Sequence, residues 1–126
     1  MTAPMNGLPS SDLVSIRVQY SGPTVLVTAT GEIDSTSSPV LRQRLDAVLD
    51  GGVRELCVDL RGVTFLDSAG LCVLAAAHRR SVGQGVRMRV LASSRAVIRP
   101  LEITGLWQLL DAERVESGVR EEVAAG

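Results

Sequence analysis

Apolar and polar residues alternate near the start of the chain, with the apolar residues at the even positions from 14 to 20. This period of two predicts a strand with one buried face, in a fold that starts near Leu13. A turn at Ser21-Gly22-Pro23 follows, and apolar or β-branched residues then continue from Thr24 to Ile33. We therefore expect an antiparallel hairpin, whose turn type the three-residue connection leaves open.

Helical and strand periodicities alternate in the middle of the chain. Apolar residues at positions 40, 41, 45, 48 and 49 predict an amphipathic helix that Gly51-Gly52 ends. The segment 53–60 is short and mostly apolar, which predicts a strand in the interior of the sheet. The run of small and apolar residues 69–77 predicts a second helix, closed by the cations of residues 78–80. A loop is expected at residues 83–85.

The last third of the chain predicts another strand and another helix. Residues 86–90 alternate as a strand does, and Ser93 or Ser94 is expected to cap a helix that ends at Gly105. Pro100 should kink or break this helix near Arg99, because proline lacks a backbone N–H. Residues 106–115 predict an edge strand with its turn, and residues 119–124 a terminal helical turn or two.

The predicted element order is β-β-α-β-α-β-α-β-α, which indicates an α/β fold with a mixed β-sheet covered by helices. Residues 1–12 contain Pro, Gly, Ser, Asn and Thr without periodicity and predict a flexible N-terminal tail. Residues 13–126 are then a single domain, since 126 residues with 45% hydrophobic content leave little room for a second core.

Composition excludes several classes of partner. The net charge is −1, and its basic and acidic residues are spread along the chain, so no basic face predicts binding to nucleic acid or membrane. The start of the chain lacks the pattern of a signal peptide, and no apolar run approaches the roughly 18 residues of a membrane span. We therefore expect a cytoplasmic protein.

Cys57 and Cys72 form no CxxC pattern, which favours reduced, buried thiols over a disulfide or metal site.

Enzyme chemistry is not supported by the residues. Ser68 is not in a G-x-S-x-G nucleophile elbow, because Leu66 stands where the first glycine is needed. His78 is the single histidine, and ten helical positions would separate it from Ser68 by roughly 15 Å. No dinucleotide fingerprint or P-loop is present. The sequence therefore predicts no catalytic residue and no cofactor.

Four carboxylates, those of Glu32, Asp34, Asp59 and Asp67, could in principle form an acid-base pair or bind a hard cation. Asp59 and Asp67 both lie near the predicted carboxyl end of a strand, where the sites of α/β proteins gather. N-capping is the simpler explanation for Asp34 and Asp67, because each precedes a predicted helix start. No metal site is predicted.

The hydroxyl of Ser68 has two explanations. Asp67-Ser68 lies at the predicted N-terminus of a helix, where free N–H groups and the positive end of the dipole attract negative charge. Ser68 could cap that helix, a role worth about 1 kcal/mol. The same position would also tolerate a phosphate. Periodicity alone leaves both possibilities open.

The segment Val-Thr-Phe-Leu-Asp-Ser-Ala-Gly-Leu at residues 63–71 resembles the signature of the STAS family, specifically of its single-domain anti-sigma factor antagonists. Further matches lie at residues 31–34, 58–60 and 104–106. The resemblance implies that a partner, both anti-sigma factor and serine kinase, phosphorylates Ser68, and that a serine phosphatase reverses this. It implies that the unmodified protein binds the kinase and frees a sigma factor, in stress response or sporulation. The ATP and its metal would belong to the kinase.

By the same resemblance, the partner-binding residues are Asp34, Asp67, Ser68, Ala69, Gly70 and Leu71. The chain departs from the family pattern at Cys72, Pro100 and Trp107, which bears on the choice of partner more than on the switch. A second hypothesis has the same fold: a STAS scaffold or ligand-sensing module in a larger signalling or transport assembly, never phosphorylated.

Overall fold

A computed structural model describes residues 11–116. Its elements are β1 (Val14–Ser21), β2 (Thr24–Ile33), α1 (Ser38–Asp50), β3 (Glu55–Leu66), α2 (Ser68–Gln84), β4 (Arg87–Ala92), α3 (Arg95–Ile103), α4 (Leu106–Leu109) and β5 (Ala112–Arg114). The strands form one mixed sheet in the order β1-β2-β3-β4-β5. β1 runs antiparallel to β2, which confirms the predicted hairpin. The pairs β2-β3, β3-β4 and β4-β5 are parallel.

Helices α1 and α2 pack on each other and on the sheet. The sheet's buried side chains come from alternate positions of its strands, such as Val25 and Val27 in β2 and Leu56 and Val58 in β3. They share one core with the apolar stripe of α1. Fully burying a Val or Leu side chain contributes about 1.5–3 kcal/mol, so this face holds the domain together. Helix α3 packs against β3 and against α4.

Strand β3 is longer than the sequence predicted, because it continues past Leu60 to Leu66. Its register against β2 shifts twice, between Thr28 and Thr30 and again between Gly31 and Glu32. Each shift is a bulge, and a bulge breaks the period of two by which a strand is recognised. The predicted end was therefore wrong, and the longer strand delivers Leu66 to the start of α2.

Helix α2 is also longer than predicted. It continues past Arg80 to Gln84, so the loop expected at residues 83–85 is the last helical turn and its cap. Gly85 ends the helix in the left-handed conformation at φ 73°, which glycine adopts without a Cβ clash. Arg80 does not close the helix; it reaches α1 and forms ion pairs with Asp46 and Asp50.

The predicted break at Pro100 does not occur. Helix α3 runs through Pro100 without interruption. Burial of Val97, Ile98 and Leu101 offsets the one hydrogen bond that the proline nitrogen does not donate. At the end of the helix, the Thr104 N–H and hydroxyl both donate to the Pro100 carbonyl.

Near its end the described chain forms a short helix, α4, before β5, so the edge strand is shorter than the predicted 106–115. The predicted terminal helix at 119–124, and residues 1–10 of the predicted tail, lie outside the described residues. Between residues 11 and 116 no helix is long and apolar enough to span a membrane.

Candidate functional site at the start of helix α2

Asp67, and not Ser68, caps helix α2. The Asp67 carboxylate accepts hydrogen bonds from the N–H groups of Ala69, at 2.9 Å, and Gly70, at 3.4 Å. Ser68 is the first helical residue, is exposed, and its hydroxyl makes no hydrogen bond within residues 11–116. Capping therefore accounts for the aspartate, as the sequence predicted, but it does not account for the serine hydroxyl.

Gly70 determines how closely the first turn of α2 approaches the sheet. A Cβ at this position would lie 2.4 Å from Leu66 Cδ1 and 2.8 Å from Ile33 Cγ2, both closer than real contacts allow. Gly70 is buried, whereas Ala69 and Leu71 are half-buried beside the exposed Ser68. The absence of a side chain at Gly70 thus lets the first turn of α2 lie against Leu66 and Ile33.

The loop between β2 and α1 is ordered around Asp34. Its carboxylate accepts hydrogen bonds from the Thr36 N–H at 2.8 Å, the Thr36 hydroxyl at 2.7 Å and the Ser37 N–H at 3.0 Å. These donors stabilise the charged form, so the pKa of Asp34 lies below its ordinary value, with the Thr36 hydroxyl as the largest cause. Asp34 therefore organises the loop ahead of α1, while Ser37 occupies the N-cap position of that helix. The prediction that Asp34 is an N-cap was wrong, because its carboxylate binds N–H groups that precede the helix.

The Asp34 loop and the start of α2 lie at the same edge of the sheet. Ile33 of β2 is paired with Leu66 of β3 in parallel register, so the residues that follow them emerge side by side. The Asp67 N–H donates to the Ile33 carbonyl at 3.2 Å. The structure therefore brings Asp34, Asp67 and Ser68 together, at the carboxyl edge where binding residues of α/β sheets gather.

Asp59 does not join this site. It lies inside β3, is 4% exposed, and is bound by Arg61, whose Nε and terminal nitrogen donate to the two carboxylate oxygens at 3.0 and 2.9 Å. The sequence placed Asp59 near the end of a strand. Strand β3 instead continues to Leu66, past two bulges that interrupt its alternation of apolar and polar residues. Among the described residues, no three His, Cys, Asp or Glu side chains are grouped as metal ligands.

His78 follows Ser68 by ten residues in helix α2. Both residues lie on this one helix, so the helical rise separates them by roughly 15 Å and His78 is too far from Ser68 to act as its general base.

Both cysteines are free thiols, but Cys72 is exposed and Cys57 is half-buried, so the expectation that both are buried was wrong. Cys72 follows Ser68 by one helical turn and is exposed.

Sequence reasoning missed the residues next to this site on α3. Phe65, Leu66, Ala96, Arg99, Pro100 and Ile103 are among the residues that line an apolar groove of about 570 Å³ between the end of β3 and α3. The one available signal was the spacing of Arg95 and Arg99, one helical turn apart on α3. Nothing in the local pattern places those arginines beside Phe65.

Comparisons with known proteins agree with this architecture. The family model described as "Mlab, STAS domain" matches residues 16–111. The anti-sigma-B factor antagonist of Bacillus subtilis is 32% identical over 108 residues, which cover 85% of this chain and 98% of that protein. The anti-sigma-F factor antagonist RsfB of Mycobacterium tuberculosis is 29% identical over 99 residues, covering 79% of this chain and 80% of the relative.

Solved structures share the fold. An anti-sigma factor antagonist from Mycobacterium paratuberculosis superposes with a TM-score of 0.76 at 29% identity, covering 94% of this chain and 97% of the other. The unphosphorylated form of SpoIIAA gives 0.71 at 18% identity, covering 88% and 93%. The predicted α/β fold with a mixed sheet is confirmed, and so is the resemblance carried by residues 63–71. The chain belongs to the STAS-domain family and is similar to that family's single-domain anti-sigma factor antagonists.

Proposed function

We propose that this protein is an anti-sigma factor antagonist that acts in the bacterial cytoplasm and is switched at Ser68. With Ser68 unmodified, it binds an anti-sigma factor that is also a serine kinase, and so frees a sigma factor. Phosphorylation of Ser68 by that kinase ends the complex, and a serine phosphatase restores the hydroxyl. The observation that carries the proposal is the exposed Ser68 hydroxyl, which makes no hydrogen bond in the described chain because Asp67 already caps α2.

A phosphate fits this position without disturbing the fold. The first turn of α2 presents the positive end of the helix dipole, which favours a negative group. Because Ser68 is exposed and makes no side-chain hydrogen bond within residues 11–116, its modification breaks no hydrogen bond there. The phosphate therefore changes the surface that a partner meets, while the sheet and helices stay as they are.

The same phosphate opposes a partner that covers Ser68. It adds about −1.5 to −2 charge at pH 7 next to the Asp67 carboxylate. An interface over Ser68 would bury this charge, and both desolvation and repulsion by nearby acidic groups would weaken binding. Each 1.4 kcal/mol of lost binding energy lowers affinity about tenfold, so a few kcal/mol is enough for a switch.

The proposed contact surface contains Asp34, Asp67, Ser68, Ala69, Gly70 and Leu71. Ser68 is exposed, and all the others except Gly70 are half-buried. Gly70 contributes indirectly, because its missing side chain lets the first turn of α2 approach Ile33. Asp34 is charged at neutral pH, as an aspartate of ordinary pKa is, and its hydrogen bonds lower its pKa further, so this surface carries a fixed negative charge beside the first turn of α2.

The proposal is tested first by intact mass and phosphosite mapping of the protein isolated from its own cells. A phosphate at Ser68 adds about 80 Da, and its absence under every growth condition would favour the unmodified scaffold instead.

Binding is then measured with each purified anti-sigma factor kinase of the same organism. Ser68→Ala should bind as the unmodified protein does, and Ser68→Asp should bind at least tenfold more weakly. Ser15→Asp is the matched control, since Ser15 is an exposed serine on β1. Equal binding by Ser68→Ala and Ser68→Asp would overturn the switch.

A further inference from the structure

The groove between β3 and α3 exposes large apolar side chains. Phe65 is 47% exposed and Ile103 is 72% exposed. Together with Leu66, Ala96 and Pro100 they line about 570 Å³ of open, mostly apolar space. Exposed apolar surface of this kind, bordered by charge, is typical of a protein-protein interface.

Two cations border this groove without partners in the described chain. Arg95 and Arg99 are both exposed, and neither forms an ion pair or side-chain hydrogen bond within residues 11–116. Other exposed arginines of the described residues, Arg17 and Arg87 among them, are also outside the ion pairs, so what distinguishes Arg95 and Arg99 is their position together on the rim of the groove. Within residues 11–116 no carboxylate neutralises the guanidinium groups of Arg95 and Arg99, and guanidinium groups suit carboxylates of another molecule.

The groove is next to the proposed switch residue. Phe65 precedes Ser68 by three residues, and consecutive Cα atoms are 3.80 Å apart, so their Cα atoms are separated by at most roughly 11 Å. This upper limit is somewhat longer than the screening length at physiological salt, which is about 8 Å. A partner that covers Ser68 thus has Phe65 and the rim of the groove within reach.

We infer that this groove binds an acidic segment of the anti-sigma factor, which inserts an apolar side chain between Phe65 and Ile103 and places carboxylates on Arg95 and Arg99. The inference rests on the proposed function and adds the chemistry by which this chain selects its partner. Aromatic residues and arginine are the types enriched where binding energy concentrates, and this groove offers both. An anti-sigma factor without the acidic segment would gain nothing from the arginine pair and would bind less well.

The charge of the segment also strengthens the switch. Phosphate on Ser68 would repel carboxylates held on the neighbouring groove, in addition to being desolvated. The arginine pair should raise the association rate at low salt, because charges at an interface rim act mainly on the encounter of the two proteins.

The test compares two full-length double variants with the same change in net charge. Arg95→Glu/Arg99→Glu reverses the rim of the groove. Arg17→Glu/Arg87→Glu is the matched control, since Arg17 and Arg87 are exposed on β1 and β4 and, among the described residues, take part in no ion pair. The probe is the purified anti-sigma factor kinase that binds the wild type, and association rates are measured at several salt concentrations.

We expect the groove variant to bind at least tenfold more weakly than the control, with an association rate that no longer falls as salt rises. Phe65→Ser should also weaken binding tenfold or more, while Ser68 stays a substrate in a long incubation with the kinase. Equal affinity of the two double variants would overturn the inference and leave the switch intact. Conversion of a wild-type dimer to a monomer by Phe65→Ser would overturn it in favour of a second copy of the chain.

Failure of the proposed function looks different in the same experiment. If no kinase binds the wild type, or if Ser68→Asp binds as well as Ser68→Ala, the switch itself is wrong and the groove has lost its proposed occupant. If the switch variants behave as expected and the groove variants do not, only the groove assignment is wrong.

Discussion

Because Asp67 caps α2 and the Ser68 hydroxyl makes no hydrogen bond in the described chain, substitutions at these two positions should change stability by different amounts. Asp67→Ala removes the two hydrogen bonds that the Ala69 and Gly70 N–H groups donate to its carboxylate, and also a negative charge at the helix N-terminus. Loss of an N-cap costs about 1 kcal/mol, and loss of the charge adds about 0.3–1 kcal/mol. The bond to Gly70, at 3.4 Å, is long, so we expect about 1–1.5 kcal/mol in total.

Ser68→Ala should have the opposite sign. Ser68 is exposed and its hydroxyl makes no hydrogen bond in the described chain, so truncation leaves no buried group unsatisfied. Alanine is the better helix former by a few tenths of a kcal/mol. We therefore expect Ser68→Ala to leave the free energy of unfolding unchanged or to raise it by at most about 0.5 kcal/mol.

Urea unfolding followed by circular dichroism measures both changes. With a slope of about 2 kcal/mol per M, Asp67→Ala should lower the midpoint by about 0.5–0.8 M and Ser68→Ala should leave it within about 0.25 M of the wild type. Asp67→Asn is the control, because asparagine caps helices as well as aspartate does but lacks the charge, so it should lose only the charge contribution of about 0.3–1 kcal/mol. A loss of 1 kcal/mol or more in Ser68→Ala would show that Ser68 caps α2, and would refute the argument that its hydroxyl is left for modification.

Three further predictions concern residues around the site. Gly31→Ala should destabilise the protein by more than about 3 kcal/mol, seen as a large drop in Tm, because Gly31 has φ 109° and its Cβ would lie 2.1 Å from a main-chain oxygen. Thr36→Val should raise the pKa of Asp34 toward its ordinary value, measured by carboxyl-carbon NMR titration; an unchanged pKa would contradict the cause assigned here. Because the folded pKa of Asp34 is depressed, its contribution to stability is present above the unfolded pKa, about 3.9, and is lost as pH falls through the folded pKa. Arg61→Ala should cost about 2–3 kcal/mol in denaturant unfolding, since it leaves the carboxylate of Asp59, which is 4% exposed, with a single main-chain donor; a cost under 1 kcal/mol would mean that water replaces the guanidinium.

The difference between β1 and β3 shows which parts of the fold were predictable. β1 is read correctly because its side chains alternate without interruption and each position keeps its own face of the sheet. β3 is read only as far as Leu60, because its two bulges are set by pairing with β2 and leave Thr64 and Phe65 both exposed. A bulge is a property of two strands, so the sequence of one strand does not reveal it.

Pro100 and the end of α2 follow the same reasoning. A proline inside a helix is unfavourable by itself, and only the burial of α3 against β3 and α4 shows that the helix survives it. The cations at the predicted end of α2 suit a helix C-terminus locally, but Arg80 instead spans to α1. At Pro100, burial of apolar side chains worth a few kcal/mol offsets a local cost of similar size. At Arg80, the carboxylates of α1 determine where the guanidinium lies, which the sequence of α2 does not show.

The sequence by itself determined the hairpin, the presence of α1, α2 and α3, the family signature and the presence of an acid and a serine at one helix start, because periodicity and capping are local properties of the chain. Only the tertiary structure decided which of the two residues caps α2, since that depends on the backbone angles with which β3 delivers Asp67. It alone brought the Asp34 loop beside Ser68 through the parallel pairing of β2 and β3, and placed Arg95 and Arg99 beside Phe65. Periodicity shows which face of an element is buried but not which other element covers it, so contacts between residues far apart in sequence are decided by the packing of the whole fold.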